Sequence, residues 1–179
     1  ALFIAAGATV AAMAPSAHGV SATWTGATDN SWATVTNWIN SVPTTGDVAI
    51  FNNAGNGHTT LDLGAGVAVN TILFDTINAA GYTIGSGAVG SQALTLDNNA
   101  ASITVNATVL NDQRMNAGVI LGTAATGVTT FTNASQVAVD TYAGNITGGT
   151  GGTAGVKSIG FFGAGTHLVS GNIAPGGAT

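Results

Sequence analysis

Apolar and polar residues alternate in short segments along most of the chain. The clearest case is residues 91–110, where Ala93–Leu96 and Ser102–Val105 flank the turn-forming residues 97–99, and Val109 and Leu110 follow. A period of two between turn formers is typical of half-buried β-strands. Beyond residue 59 no segment has a convincing helical period. The pattern therefore predicts an all-β fold.

The predicted strands are joined by turns rich in Gly, Asn and Ser. They are residues 48–51, 59–63, 69–74, 82–84, 93–96, 102–105, 118–121, 128–132, 136–139, 156–162 and 167–173. Neighbouring strands share small residues and Asn at the turn positions, which favours a parallel β-helix whose rungs stack as nearest neighbours. A β-sandwich satisfies the same pattern and is the alternative.

Three regions follow one another along the chain. They are an apolar N-terminal segment at 1–22, a Trp-rich region at 23–51 and the predicted rungs at 52–179, which include a Gly-rich loop at 144–155. The run at 1–14 before Pro15 is typical of the apolar core of a secretory signal peptide and is short for a membrane span. The alternative is a retained assembly element, whose large apolar side chains are Leu2, Phe3, Ile4, Val10 and Met13.

The three tryptophans, Trp24, Trp32 and Trp38, lie among Thr, Asn, Asp and Gly, which predicts tight turns in this region. One interpretation is a cap that covers the first rung of the β-helix. The other is a platform of aromatic faces for sugar rings. Large aromatic side chains are more often core than ligand platform, so the cap is favoured.

Charge is scarce in this chain. Among 179 residues there are two basic side chains and seven Asp, no Glu and no Cys, and the formal net charge is −5. This composition disfavours helices and nucleic-acid binding, and it excludes disulfides and thiolate metal sites. Since Lys is a common guard against edge-to-edge strand pairing, its scarcity is compatible with self-association.

Three predicted strands run directly into an aspartate, namely Asp75, Asp97 and Asp140. A column of these carboxylates would offer the oxygen ligands that Ca²⁺ prefers. The simpler interpretation is that each Asp bonds its own backbone and opens a turn. The closely spaced acidic and Gly pattern of a dedicated Ca²⁺ repeat is missing from the sequence. We therefore predict turns, with neither a metal nor a cofactor.

Catalytic arrangements are sparse. Asp112 and Arg114 are the one place where an acid and a base lie side by side, and they fall in the polar segment 111–116, which we predict to be a bend. The histidines lack metal-ligand spacing: His18, His58 and His167. The N-glycosylation acceptor pattern occurs at Asn106, Asn133 and Asn145, where chance matches are expected in an Asn- and Thr-rich chain. We predict no catalytic activity.

A family resemblance rests on the Trp-rich region. The residues that carry it are Trp24-Thr25-Gly26-Ala27, Trp32, Asn37-Trp38, Val42-Pro43 and Gly46-Asp47-Val48-Ala49-Ile50-Phe51. This pattern resembles the N-terminal start of bacterial proteins that carry autotransporter-associated β-strand repeats. The resemblance implies a right-handed parallel β-helix in a secreted or surface passenger protein. The chain lacks the family's long run of Gly-Thr-Leu-Thr-Leu repeats, so both a fragment and a short member are compatible with it.

These observations predict a non-catalytic extracellular structural or adhesive protein. Its expected partner is another copy of the chain, in a filament or surface layer. The alternative is a carbohydrate-binding module or a polysaccharide-active β-helix protein, with surface polysaccharide as the partner. A nucleic-acid partner and a stable membrane span are not expected.

Overall fold

A computed structural model describes residues 19–97, 100–122, 128–148 and 158–174. The described strands are β1 (Ser21–Trp24), β2 (Trp38–Ile39), β3 (Val48–Phe51), β4 (Thr60–Leu61), β5 (Val67–Val69), β6 (Thr71–Phe74), β7 (Thr83–Ile84), β8 (Ala93–Leu96), β9 (Ser102–Val105), β10 (Gln113–Met115), β11 (Gly118–Leu121), β12 (Val128–Asn133), β13 (Val139–Tyr142), β14 (Ile146–Gly148), β15 (Ser158–Phe162), β16 (Thr166–Val169) and β17 (Ile173–Ala174). Two short 3-10 turns lie at Val35–Asn37 and Gly55–Gly57.

The strands form three stacked sheets that wind into a β-solenoid of about 5 turns. The orders are β15-β12-β9-β6-β3-β1-β2, β16-β13-β10-β7-β4 and β17-β14-β11-β8-β5. Each turn of the chain, here called a rung, takes one strand from each sheet, so that β3–β5 form rung 1 and β15–β17 form rung 5. Pairing between rungs is parallel throughout the described strands. This confirms the predicted stacked β-fold over the sandwich alternative.

Alternation along each strand builds the interior. In β3, β6 and β9 every second residue is buried, and the register aligns Ala49, Ile72 and Ile103 in one inward column. A second inward column on the same sheet contains Phe51 and Phe74, with ring centroids 5.3 Å apart. Burying such side chains is worth about 1.5–3 kcal/mol each. The apolar half of each alternating segment therefore becomes the core.

The N-terminal end of the solenoid is closed by the Trp-rich region. Strand β1 pairs in parallel with β3, and β2 folds back to pair antiparallel with β1. The prediction of tight turns around the tryptophans is wrong at Trp24 and Trp38, because these residues lie in β1 and β2. The apolar segment 1–22 is described only from residue 19, so Leu2, Phe3, Ile4, Val10, Met13 and His18 lie outside the described residues.

Several predicted strand boundaries are also wrong. The segment 69–74 is two strands in different sheets, with a corner at Asn70 whose N–H donates to the Asp47 carbonyl. The segment 167–173 divides in the same way between β16 and β17. A β-solenoid turns sharply between sheets, and these corners are so short that apolar strand residues lie close together on both sides of them.

Two strands are not predicted from the alternation of apolar and polar residues. Strand β10 lies in the segment predicted to be a polar bend, because Gln113 points inward where an apolar residue is expected. Strand β14 lies in the segment predicted to be a Gly-rich loop; residues 149–155 of that loop lie outside the described residues. The predicted strand 136–139 begins only at Val139 and continues to Tyr142.

Candidate functional site

The three tryptophans are buried together over rung 1. Trp24, Trp32 and Trp38 are exposed by 0%, 2% and 6%. The ring of Trp38 lies edge-on between the other two, with centroid distances of 5.0 Å to Trp24 and 4.8 Å to Trp32. All three contact Phe51, the first ring of the interior stack. The geometry fits a cap, and it leaves no flat aromatic face open for a sugar ring.

Each indole N–H of the cap has a backbone acceptor. Trp24 Nε1 donates to the His58 carbonyl at 3.0 Å, Trp32 Nε1 to Pro43 at 3.2 Å and Trp38 Nε1 to Trp32 at 2.8 Å. Buried indoles usually find such partners, because an unpaired N–H in the core is costly. The polar edges of the cap are therefore occupied by the protein itself.

Asn37 holds the loop that carries Trp32. Its Oδ1 accepts the N–H groups of Thr28 and Asp29, and its Nδ2 donates to the Asp29 and Ser31 carbonyls and to the Asp29 carboxylate. The side chain is fully buried. One amide thus replaces the sheet hydrogen bonds that this irregular segment lacks.

Aspartate side chains in the turns accept backbone N–H groups. The pairs are Asp29 with Ser31, Asp47 with Val20 and Thr44, Asp62 with Gly64, Asp75 with Thr76, and Asp112 with Val139. Hydrogen bonds from Ser31 and Asn37 hold the pKa of Asp29 below its ordinary value, and those from Gly64 and Gln92 do the same for Asp62. Ionised carboxylates make the stronger acceptors here.

The three predicted Ca²⁺ candidates are not brought together. Asp75 follows β6, Asp97 follows β8 and Asp140 lies within β13, so the three belong to three different sheets. No group of three or more possible metal ligands occurs among the residues that the structure describes. For Asp140 the predicted turn is wrong, because this side chain is fully buried inside the solenoid.

Asp112 and Arg114 use different partners. Asp112 Oδ1 accepts the Val139 N–H at 2.7 Å, which links rung 3 to rung 4. Arg114 lies between the buried residues of β10 and directs Nη2 to Asn116 Oδ1 at 3.4 Å. Neither contact is that of a catalytic acid–base pair, which would point both groups at one substrate position.

The glycosylation-type asparagines have unlike environments. Asn133 is fully buried and donates to the Ala138 and Thr166 carbonyls, both at 2.9 Å. Asn106 donates to the Asp75 carboxylate at 2.9 Å, and Asn145 is exposed. In the folded protein Asn133 is therefore a structural link between rungs 4 and 5.

A buried ionisable cluster lies inside rungs 4 and 5. Asp140 and Tyr142 point inward from β13, and the Tyr142 hydroxyl donates to Asp140 Oδ2. His167 on β16 pairs in register with Asp140 and brings its Nδ1 within 3.6 Å of Oδ2. Burial and the neighbouring carboxylate raise the pKa of Tyr142 well above its ordinary value, so it remains a donor.

The sequence pattern assigned Asp140 to a turn and His167 to a separate strand, and it missed their contact. A signal was present, because Gln113, Asp140 and His167 share one inward column with one rung, 27 residues, between neighbours. The same interval separates Asn145 from Asn172, whose N–H donates to the Asn145 side chain. The interval holds from rung 3 to rung 5 in the sheets that contain β13 and β14, and the sheet that contains β12 does not follow it.

A shallow groove lies on the outer face of the sheet β17-β14-β11-β8-β5. Its volume is about 310 Å³, and uncharged residues line it, among them Ser91, Gln92, Gly118, Ile120, Asn145 and Thr147. Gln92 is anchored, since its Oε1 accepts the Leu63 and Ser86 N–H groups. The groove therefore has a neutral lining in which amides and hydroxyls alternate with small apolar residues and Ile120.

No protein-family model, curated protein or solved structure matches this chain. Within the described residues no helix has the length and apolar character needed to cross a membrane.

Proposed function

We propose that this chain is a non-catalytic structural or adhesive protein of the cell exterior. The observation that carries the proposal is the use of the turn aspartates, whose carboxylates bind backbone N–H groups within the solenoid. A carboxylate held in this way shapes a turn and is not free for proton transfer. The resemblance of the Trp-rich region to surface passenger proteins supports a secreted location.

Self-association is the expected way in which such a solenoid builds a filament or layer. On rung 5 the side chains of Phe162, Leu168 and Ile173 are exposed by 53%, 53% and 43%. Within the described residues, no strand pairs with the outer edges of β15, β16 and β17. Unpaired strand edges with exposed apolar side chains are a template for another chain.

We expect Leu168→Lys to weaken self-association about tenfold or more, because a contact that buries this leucine would be worth about 1.5–3 kcal/mol. Sedimentation velocity over a range of concentrations measures the effect, and negative-stain microscopy shows whether filaments persist. The control is Ile77→Lys, which places the same charge at a residue exposed by 61% in the turn after β6. Equal association of the two variants, or a wild-type monomer at every concentration, contradicts the proposed assembly.

The proposed lack of catalytic activity is tested separately. Purified protein incubated with surface polysaccharides should release no new reducing ends. Turnover that disappears in Asp112→Ala or Arg114→Ala would contradict the proposal.

A carbohydrate-binding module is the second candidate, favoured by the groove on the outer sheet face. Its neutral lining suits hydroxylated ligands without charge. We expect Thr147→Phe, which fills the groove, to weaken retention of the protein in neutral-polysaccharide affinity gels about tenfold or more, a loss of roughly 1.4 kcal/mol. Thr141→Phe, on the outer face of β13, is the matched control. Equal retention of both variants contradicts carbohydrate binding in the groove.

A further inference from the structure

The interior of the second sheet contains a column of polar side chains. Gln113, Asp140 and His167 succeed one another in register on β10, β13 and β16. The Gln113 amide is fully used, since its Oε1 accepts the Tyr82 N–H at 3.1 Å and its Nε2 donates to the Ala80 and Asn111 carbonyls. The two ionisable members of the column are not satisfied in this way.

Asp140 and His167 each keep one buried atom without a hydrogen bond. These atoms are Asp140 Oδ1 and His167 Nδ1. Buried polar groups are almost always paired, and an unpaired one costs about 1–3 kcal/mol. The two side chains nevertheless face each other, with Nδ1 3.6 Å from Oδ2. A proton on Nδ1 would give this nitrogen an acceptor in the Asp140 carboxylate.

The acceptors around the imidazole determine how many protons the pair needs. His167 Nε2 lies 3.0 Å from the Phe162 carbonyl, which can only accept, so Nε2 carries a hydrogen. In a neutral ring Nδ1 is then a bare acceptor, and it faces a carboxylate that is an acceptor as well. The Tyr142 hydroxyl donates to Asp140 Oδ2 and does not remove this conflict. One additional proton between Nδ1 and Asp140 removes it.

We propose that Asp140 and His167 share one proton that fastens rung 5 to rung 4, so that this end of the solenoid loosens as the pH rises. The proton is taken from solvent and lies between His167 Nδ1 and the Asp140 carboxylate, and no other bond changes. Because this proton acts within the folded monomer, its effect is independent of the proposed self-association.

The groups around His167 determine whether the stability of rung 5 rises or falls with pH. Asp140 and Tyr142 are the ionisable side chains that face it within the described residues, and the Phe161 ring lies 5.2 Å away. The interaction with Asp140 raises the pKa of His167 above 6.5, partial burial opposes this, and the Phe162 carbonyl adds to it. The stabilisation is complete below about pH 6.5, the ordinary histidine value, and disappears as the pH rises through the raised pKa.

Hydrogen exchange on dilute, monomeric protein tests whether the shared proton stabilises rung 5. Exchange is measured between pH 6 and pH 9. Over this range the protection factors of the β15 and β16 amides should fall, and the total fall should be about tenfold for each unit by which the fold raises the pKa of His167. Protection factors corrected for intrinsic exchange should stay constant in rung 2, which serves as the internal reference. In His167→Gln the pH dependence of rung 5 should vanish. A flat wild-type profile overturns the proposal.

An NMR titration of His167 provides the second measurement. The wild-type midpoint should lie above the ordinary value, and Asp140→Asn should lower it. If that variant does not fold, Tyr142→Phe keeps the ring and removes a donor that competes for the carboxylate, so the midpoint should rise further. A wild-type midpoint at or below about 6.5, or variants that leave it unchanged, contradicts a shared proton.

Discussion

Trp24→Ala should lower the free energy of unfolding by about 3–5 kcal/mol, the usual cost of truncating a large buried aromatic side chain. The side chain is fully buried, it contacts Trp38 and Phe51, and its indole donates to the His58 carbonyl. Removing it opens a cavity between the cap and rung 1 and takes away the indole donor of the His58 carbonyl. Urea unfolding followed by far-UV circular dichroism measures the change without relying on the lost fluorophore.

Ile39→Ala is the matched control for the cap. Ile39 lies on β2 opposite Thr23 and is exposed by 55%. An exposed substitution of this kind should change stability by no more than about 0.5 kcal/mol. If the two variants unfold at the same urea concentration, the tryptophan cluster does not stabilise the end of the solenoid.

Gly144→Ala should destabilise the solenoid by about 3 kcal/mol, because it inserts a methyl group between two backbones. A Cβ at this position would lie 2.1 Å from the Ala117 carbonyl oxygen and 2.6 Å from its carbon. Both atoms belong to the rung below, so no side-chain rotation relieves the clash. The change would also stretch the Gly144 and Ala143 N–H contacts to the Met115 carbonyl, which are 3.3 and 2.9 Å long. Thermal and urea unfolding both measure the loss.

Gly118→Ala makes the same chemical change on a neighbouring rung. A Cβ there would lie 3.8 Å from the nearest atoms, the Asn145 and Gln92 carbonyl oxygens, which is ordinary contact. We expect stability within about 0.5 kcal/mol of wild type. A loss as large as that of Gly144→Ala would mean that strand flexibility, and not the backbone contact, makes glycine necessary.

Alternation of apolar residues predicts most of the strands. Strands β8 and β9 have the predicted bounds, because their inward residues are apolar and a polar Asp97 or Asn106 follows each strand. The rule fails where an inward residue is polar. It predicted a strand at 136–139 followed by a turn at Asp140, whereas Val137 is exposed by 66% outside β13 and Asp140 is fully buried within it.

Composition and periodicity by themselves determined the fold class, since a short period of two and the scarcity of charge are local properties of the sequence. Only the tertiary structure decided which polar residues face inward. Gln113 and Asn133 are buried because their amides find backbone partners in the same or the adjacent rung. Asp140 and His167 meet because β13 and β16 pair in parallel with these two residues in register between rungs 4 and 5. The partners in adjacent rungs lie a whole turn of the chain apart in sequence, and only stacking in space brings them to these buried polar groups.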